Sequence, residues 1–346
     1  MTDAVVEPTP PAVSRERGWR QVVGGLALLL LLPAMPPFSV VLPVAETALI
    51  LVPALAACAL AGWRSGGRLF LAVLWVAFAV WIVVAGRPAG EYPLLARGWG
   101  VLVAVAFGVW AIVWPDRPFF LRALASIGVA FVVGGLSTFV VPGGPARVRQ
   151  VFAGESLRRA DAFEADWRAR MATKDWQDFR ATNAESAAWF ETTLEEQRTM
   201  VRRTAEQSAI VFPALLALET LAALGLAWAL YHRVGRARIG APLVRLREFR
   251  FHDQFIWGLI GGLALLVVPG LGPVRGVGTN LLLFFGALYA LRGAGVALFY
   301  LAPGRVMMIV LVSVSVLFAS AAGVIFVGLG LGDTWLDWRR RQRPST

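Results

Sequence analysis

A single carboxylate lies near the middle of a long apolar segment. It is the strongest candidate in the sequence for a binding or proton-transfer role. Glu219 lies within Leu216-Ala-Leu-Glu-Thr-Leu, in an apolar run that extends from Ser208 to Tyr231. A charged carboxylate at that depth of a membrane is costly, so it must face the protein interior, a water cavity or a partner, or be protonated. Two interpretations stay open: a substrate, ion or proton site, or a hydrogen bond that joins packed helices.

Three further polar residues could complete a binding site with Glu219. Arg292 lies in another apolar segment that runs in the same direction, and the two residues differ by about 6 Å in depth at 1.5 Å per residue. An ion pair would lower the cost of both charges, although the long Arg292 side chain could instead reach the inner surface. Asn280 and Tyr289 could line an outward-facing pocket, although helix capping explains Asn280 about as well. We therefore predict substrate-binding residues at Glu219, Arg292, Asn280 and Tyr289.

The sequence lacks the motifs of the familiar enzyme classes and metal centres. It contains no HExxH, no phosphate-binding glycine loop and no Cys/His ligand set. Its two histidines, His232 and His252, flank a basic loop, and the single Cys58 lies inside an apolar segment. No nucleophile and base stand in a recognisable pattern. The sequence therefore predicts a protein that is not an enzyme, with no cofactor and no metal site.

The apolar content is that of a membrane protein. Of the 346 residues, 58% are hydrophobic and 16% are charged, whereas soluble domains are about 45–50% apolar. Runs of about 18 or more apolar residues recur, and each is long enough to cross a bilayer as a helix. We predict an all-α, polytopic transmembrane helix bundle of about 8–9 spans with an extramembrane helical hairpin insert. The predicted domains are a disordered cytoplasmic tail (1–18), an N-terminal membrane bundle of about five segments (19–141), the hairpin (142–207), a C-terminal membrane bundle of about four segments (208–331) and a basic tail (332–346).

The arginines between these segments indicate which loops face the cytoplasm. The net charge is +11, and six arginines lie between residues 233 and 250 alone. Because cytoplasmic loops carry such an excess, we predict a multi-pass protein of the bacterial cytoplasmic membrane with its N-terminus inside and its hairpin outside. The lipid bilayer is then the partner of the basic residues, and nucleic acid is not. Nine spans would place the arginine-rich tail outside, so either the tail breaks the rule or the first or seventh segment does not span.

One long helix should join the hairpin to the membrane. It is predicted from Asn183 to about Tyr231, with a charged first half, an apolar second half and Pro213 between them. A preceding helix, at about 155–180, carries an apolar stripe. Trp167, Trp176 and Trp189 are more aromatic surface than a short hairpin buries easily. The stripes either bury against each other or form a surface for a partner protein or a second copy.

Three stretches of the C-terminal half carry a family resemblance. They are Phe249-Arg-Phe-His-Asp-Gln-Phe-Ile-Trp, Asn280-Leu-Leu-Leu with Tyr289 and Gly293, and Gly330-Leu-Gly-Asp-Thr-Trp-Leu-Asp-Trp-Arg-Arg-Arg. They resemble the YybS-like family of bacterial membrane proteins, which is distantly similar to the substrate-binding S components of energy-coupling-factor vitamin transporters. Those components are small helical bundles with an outward-facing pocket. The resemblance implies small-molecule binding or transport, and the alternative is a membrane scaffold or assembly protein that acts through the hairpin.

Overall fold

The computed structural model of the chain describes residues 19–31, 38–41, 44–85, 90–140, 142–235 and 238–341. The predicted disordered tail, 1–18, and residues 342–346 lie outside the described residues. Within the described ranges the chain is helical, with short connections and no strand. Helices satisfy their backbone hydrogen bonds internally, which hydrocarbon requires. The predicted all-α membrane helix bundle is confirmed.

Six helices of the described chain are long and apolar enough to cross a membrane. These six helices span Glu46–Arg64, Glu91–Val113, Phe119–Thr138, Ala184–Val234, Arg275–Leu301 and Ala319–Leu336. Shorter apolar helices accompany them, at Val22–Leu31, Leu69–Val84, Asp253–Val267 and Val306–Leu317. Their outward faces are apolar: large side chains such as Phe70, Val316 and Val324 are more than 70% exposed. A multi-pass protein in contact with lipid follows from these faces.

The N-terminal half is built around the third helix. Its helices are α1 (Arg20–Leu31), α2 (Phe38–Val41), α3 (Val44–Arg64), α4 (Leu69–Val84), α5 (Glu91–Val113) and α6 (Phe119–Thr138). Helix α3 packs against α4, α5 and α9, and its small residues Ala54 and Cys58 are fully buried there. Phe107 of α5 and Trp228 of α9 are also fully buried and meet edge to face, with ring centres 5.9 Å apart. Small residues on one helix and rings on the next give this half a dense core.

The long helix is confirmed, and it serves both halves. Helix α9 runs unbroken from Ala184 to Val234, 51 residues, with Pro213 inside it. Its last part packs against α1, α3 and α6 on one side and against α11 on the other. Its first part packs against α7 of the hairpin. The N-cap residue is Asn183, although its side chain makes no capping hydrogen bond.

The hairpin differs from its prediction in the first arm. The predicted helix at 155–180 is two helices, α7 (Gly144–Met171) and α8 (Lys174–Thr182). Thr173 separates them and caps α8, because its side chain accepts a hydrogen bond from the backbone N–H of Trp176. The first arm therefore begins about three turns earlier than predicted. It reaches down to the membrane half, where α7 contacts α2, α5 and α6.

The C-terminal half contains a break that the sequence did not indicate. Its helices are α10 (Ile256–Val267), α11 (Arg275–Leu301), α12 (Arg305–Leu317), α13 (Ala319–Leu336) and α14 (Trp338–Arg341). The predicted last span, 306–331, is divided at Phe318 into α12 and α13. Helices α11 and α13 run parallel and touch at Gly293 and Gly330. A Cβ on Gly293 would lie 1.8 Å from the Phe326 carbonyl oxygen, and a Cβ on Gly330 2.1 Å from that of Tyr289.

Hydrogen bonds of Arg339 show where the start of the tail lies. Arg339 donates hydrogen bonds of 3.1 Å to the backbone oxygens of Arg247 and Phe249, in the loop between α9 and α10. The start of the tail and the basic loop therefore lie on the same face. The sequence leaves the side of the tail open, and the segment predicted as one last span, 306–331, is two helices, α12 and α13.

Candidate functional site

Glu219 is buried between α9 and α3, toward the hairpin end of the N-terminal half. It is 7% exposed, and its Oε1 accepts a 2.5 Å hydrogen bond from Oγ1 of Thr47, which is fully buried. Its Oε2 is also buried and has no hydrogen-bond partner in the part of the chain that the structure describes. One neutral donor offsets only part of the cost of burying a carboxylate. The second oxygen is thus suited to receive a proton or a cation.

An ion network connects this end of α3 to the hairpin. Nη2 of Arg159, on α7, lies 2.6 Å from Oε1 of Glu46 on α3. Nε of the same guanidinium lies 3.0 Å from Oε1 of Glu155, and Nη1 donates to the backbone oxygen of Val40 at 3.2 Å. The guanidinium also lies over the ring of Tyr92, 4.8 Å from its centre. Arg159 thus ties α2, α3 and α5 of the membrane half to the hairpin.

The same network extends to Glu219. Glu46 precedes Thr47 in the chain, and Glu46 and Arg159 both act electrostatically on Glu219. At the hairpin end, the hydrogen bond from Arg158 holds the pKa of Glu155 below its ordinary value, with Arg159 adding to the effect. We call Glu46, Thr47, Glu155, Arg159 and Glu219 the hairpin-side network. It forms a line of polar side chains from the extramembrane hairpin to a carboxylate inside the membrane half.

A neighbouring contact fixes the position of Glu219 on its helix. Nε1 of Trp99, on α5, donates a 3.0 Å hydrogen bond to Oγ1 of Thr220, which is fully buried. Glu219 and Thr220 are consecutive, so α9 is bonded to α3 through one and to α5 through the other. The carboxylate is therefore held on both sides rather than free to turn.

Asn280 has a structural partner at the proline of α9. Its Oδ1 accepts from the backbone N–H of Ala214 at 2.8 Å, and its Nδ2 donates to the backbone oxygen of Ile210 at 2.6 Å. These two backbone groups bond to each other in an uninterrupted helix. Nδ2 also donates to the Gly276 oxygen at 2.7 Å. Asn280 thus bridges α9 next to Pro213, where a proline disturbs the helix ladder.

Arg292 belongs to an ion cluster at the other end of the C-terminal half, whose members are buried except for Asp253. Its Nε lies 2.9 Å from Oδ2 of Asp333, and its Nη1 lies 2.9 Å from Oδ1 of Asp253. Arg339 binds the same Asp333 with both Nε, at 3.1 Å, and Nη2, at 2.6 Å. We call Asp253, Arg292, Asp333 and Arg339 the C-terminal ion cluster. Within the cluster two carboxylates face two guanidiniums. Arg250 also lies 3.9 Å from Asp333 and pairs with Asp337 at 2.6 Å.

The expected ion pair between Glu219 and Arg292 is therefore not formed. Arg292 is bonded to Asp333 and Asp253 instead, because α13 ends beside the basic loop. Tyr289 lies beside Arg292 rather than beside Glu219: it is fully buried, and its ring meets Phe251 edge-on at 5.0 Å. The four predicted residues thus lie in three places. Only Arg292 and Tyr289 are neighbours, and the binding role of each residue remains a prediction.

The hairpin tryptophans differ in exposure. Trp189 is 64% exposed, whereas Trp167 and Trp176 are half-buried. Trp176 and Trp189 both pack against Phe190, with ring centres 6.3 and 5.1 Å apart, at the tip where α8 meets α9. Trp167 packs against Phe163 on α7. The tip thus carries an aromatic cluster that is only partly covered.

Other features of the described chain do not join the predicted residues. An open cleft holding about 570 Å³ of empty space lies between α3, α4 and α9 near the basic loop, and none of the four predicted residues lines it. No group of three or more His, Cys, Asp or Glu side chains in the described ranges is placed to hold a metal ion. The functional geometry therefore centres on Glu219.

Sequence reasoning missed several of the residues around Glu219. Arg159 was one basic residue among many in the hairpin, and no local signal separates it from its neighbours. Thr47 is a common residue at the start of a helix. Glu46 is a carboxylate in the first turn of α3, and this position was the one sequence signal that could have indicated a polar site there. Distances of more than 100 residues along the chain separate these partners.

The comparisons with known proteins reach the C-terminal part of the chain. Residues 173–334 match the model of a family described as Predicted membrane protein (DUF2232). The match begins at the hairpin tip, includes Glu219, Asn280 and Arg292, and ends just after Asp333. It leaves Thr47, Glu46 and Arg159 outside. No curated protein and no solved structure matches the chain.

The match supports an integral membrane protein akin to a family that carries no assigned activity. It does not name a YybS-like family or an S component, so that resemblance remains a prediction. Together with the apolar helices it agrees with a multi-pass membrane protein.

Proposed function

We propose that this integral membrane protein binds or transports small molecules, and that Glu219 is the group that binds and releases a proton or a small cation. The buried, unpartnered Oε2 of Glu219 is the observation that carries the proposal. A carboxylate held in a membrane with a single neutral hydrogen bond is expensive unless it takes up a positive charge. We propose binding or transport rather than catalysis because a buried oxygen with no partner among the described residues can take up a positive charge.

The hairpin-side network supports access from the hairpin face. Glu155 is on the extramembrane hairpin, Glu46 follows it toward the membrane, and Thr47 reaches Glu219. Carboxylates, a hydroxyl and a guanidinium in sequence can relay a proton or guide a cation. Arg159 lies between the two carboxylates and offsets part of their charge, so a cation lies on the proposed pathway.

The test is proton uptake by the full chain in liposomes that enclose a pH-sensitive dye, driven by a potassium diffusion potential. We expect uptake by the wild type and a fall of Glu219→Gln to the rate of protein-free liposomes, because a neutral amide neither binds nor releases the proton. The matched control is Glu91→Gln, which removes an exposed carboxylate paired with Arg147 at the same end. A Glu219→Gln variant that takes up protons as fast as wild type would contradict the proposal.

The orientation proposed for this function places the basic loop and the tail in the cytoplasm of a bacterium. The two segments share one face, as the bonds from Arg339 to Arg247 and Phe249 require. Cytoplasmic faces carry the arginine excess. The hairpin, at the opposite end of α9, is then outside, and Glu219 is reached from outside.

A second function is favoured by the exposed aromatic tip of the hairpin. The 24 residues of α9 from 184 to 207 extend about 36 Å at 1.5 Å per residue, so Trp189 lies far from the headgroups that tryptophans often contact. Residues 174–196 contain six acidic and two basic side chains, a net charge of −4. An acidic tip repels a second copy of itself. The proposed occupant is therefore another protein that offers basic groups beside an apolar pocket, which would make the chain a membrane scaffold.

This second function is tested by placing a photo-crosslinking amino acid at position 189 in cells, with position 203 on the same helix as the control. We expect a heteromeric adduct at 189 that disappears when Glu185 and Glu191 are changed to Lys. An adduct that contains two copies of this chain, or one that survives the charge reversal, would contradict it.

A further inference from the structure

A second buried charge lies at the basic-loop end of the N-terminal half. Arg122, in the first turn of α6, is 1% exposed. Its guanidinium carbon lies 4.3 Å from the centre of the Trp228 ring, so one face of the guanidinium is stacked on the indole. Gly240 approaches it from the segment that follows α9, where a Cβ would lie 2.9 Å from Nη2 of Arg122. The cation is thus enclosed by apolar and backbone groups.

The hydrogen-bonding edge of this guanidinium is unused. Nε, Nη1 and Nη2 of Arg122 are all buried and have no hydrogen-bond partner among the described residues. A guanidinium carries five N–H donors in a fixed fork. The group that acts electrostatically on Arg122 is the buried Cys58 thiol rather than a carboxylate. A buried cation in this condition is costly, because a guanidinium removed from water needs an anion and acceptors to replace the water.

The surroundings add positive charge rather than neutralise it. Arg122, Arg233 and Arg238 all act electrostatically on His232, which is 1% exposed and lies 4.7 Å from Trp228 between ring centres. Asp116, the nearest acidic residue in sequence, is exposed and makes no ion pair in the described structure. Arg122 lies in the first turn of the 20-residue helix α6, and helix N-termini favour anions. The positive charges around the site and the unused N–H donors of Arg122 both favour an anion.

We propose that Arg122 anchors a site for an oxyanion, a phosphate or a carboxylate, at the basic-loop end of the N-terminal half. The planar fork of arginine matches the two oxygens of such a group, and Trp228 holds the fork flat. The ligand enters from the face of the basic loop, by displacement of residues 238–241, which belong to no helix. The phosphate could be that of a soluble solute or of a lipid headgroup, since the chemistry is shared. The site is separate from Glu219 and does not depend on the function proposed there.

The test measures thermal unfolding of the full chain in phosphatidylcholine nanodiscs as inorganic phosphate is added at constant ionic strength. We expect the midpoint of the wild type to rise with phosphate and that of Arg122→Met to stay unchanged. Arg122→Lys keeps the charge and loses the fork, so we expect at least about tenfold weaker phosphate binding. The matched control is Arg117→Gln, five residues away on the exposed turn before α6, which should respond as the wild type does.

A second arm separates the two sources of phosphate. The same proteins are placed in nanodiscs that contain phosphatidylglycerol, without inorganic phosphate. A midpoint that rises only in this arm, and only when Arg122 is present, assigns the site to a lipid headgroup and supports the proposal. If Arg122→Met does not fold, the proposal is tested by Arg122→Lys, whose midpoint should need at least about tenfold more phosphate to rise as the wild type does. The proposal is overturned if the wild type responds in neither arm, or if the Arg122 variants respond as strongly as the wild type.

Discussion

The two membrane halves bury charged side chains in opposite ways. In the C-terminal half, Arg292, Asp333 and Arg339 are each at most 4% exposed, and their charged groups are paired. In the N-terminal half, Glu219 and Arg122 are also buried, at 7% and 1% exposure, and neither has a partner of opposite charge bonded to it in the described structure. Burial of a charge therefore does not by itself indicate a functional site. What distinguishes Glu219 and Arg122 is that the fold leaves them unpaired.

The C-terminal ion cluster has a structural role. Asp333 receives hydrogen bonds from Arg292 and Arg339, and Arg339 also binds backbone oxygens of the basic loop. The cluster thus joins α11, α13, the loop and the start of the tail. Removal of Asp333 would leave the buried guanidiniums of Arg292 and Arg339 without the carboxylate that they share. The comparison predicts that variants of the two regions will behave differently.

The largest effect is expected for the centre of the C-terminal ion cluster. Asp333→Asn removes the charge that faces both Arg292 and Arg339, and we expect the free energy of unfolding to fall by about 3–5 kcal/mol. Unfolding of the full chain in bicelles, followed by steric trapping, measures it. Asp116→Asn, an exposed aspartate, is the control and should change little. A fall below about 1 kcal/mol for Asp333→Asn would place the cluster among weakly coupled surface pairs.

An intermediate effect is expected at Asn280. Asn280→Leu leaves the N–H of Ala214 and the oxygen of Ile210 without their bridge, and we expect a loss of about 1–3 kcal/mol. Pro213→Ala in the same variant lets the helix ladder close and should recover part of the loss. The double-mutant cycle measures this coupling. Additive effects of the two substitutions would show that Asn280 does not act at the proline.

A small effect, or one of opposite sign, is expected at Glu219. Because its carboxylate has no cationic partner bonded to it, Glu219→Gln should change the free energy of unfolding by less than about 1 kcal/mol or raise it. Glu46→Gln, one residue before Thr47, is the matched comparison, because it breaks the pair with Arg159 and should lose about 1–3 kcal/mol. The same unfolding measurement compares them. Equal losses for the two variants would remove the distinction between paired and unpaired carboxylates.

The smallest effect is expected in the hairpin, where pairs are exposed. The hydrogen bond from Arg198 on α9 lowers the pKa of Glu164 on α7, and Arg168 adds to this. A carboxylate whose folded pKa is depressed stabilises the fold above its unfolded pKa, and the contribution is lost as the pH falls through the folded pKa. Hydrogen exchange of the hairpin amides should therefore quicken, relative to Glu164→Gln, as the pH is lowered below the ordinary glutamate value of 4.5. Parallel pH profiles for the two proteins would contradict this contribution.

The fold class, the long helix and the hairpin could be predicted because their signals are local. Apolar runs, helical spacing and the arginines at segment ends each lie within about 25 residues. The break at Phe318 left no such signal, since 306–331 contains no charged residue and no proline. With this break, α13 ends beside the basic loop and Asp333 lies next to Arg292.

The candidate site was predictable only in part, for a related reason. Glu219 was visible as a carboxylate among apolar residues, but its partner Thr47 lies 172 residues away in the chain. Arg122 lies four residues into α6 and reads from sequence as one more arginine at a helix end, although the structure buries it against Trp228. Pairing is a property of the tertiary structure, so sequence could suggest which charges are buried but not which are satisfied.

The most direct test compares the carboxylates of the two halves in one wild-type sample. The full chain in nanodiscs is treated with dicyclohexylcarbodiimide, which modifies protonated carboxyls in apolar surroundings, and adducts are located by mass spectrometry. We predict an adduct at Glu219, reduced as the pH is raised or sodium is added, and none at Asp333, which two guanidiniums keep ionised. The absence of an adduct at Glu219, or equal modification of Asp333, would contradict the claim that the unpaired carboxylate is the one that binds a proton or cation.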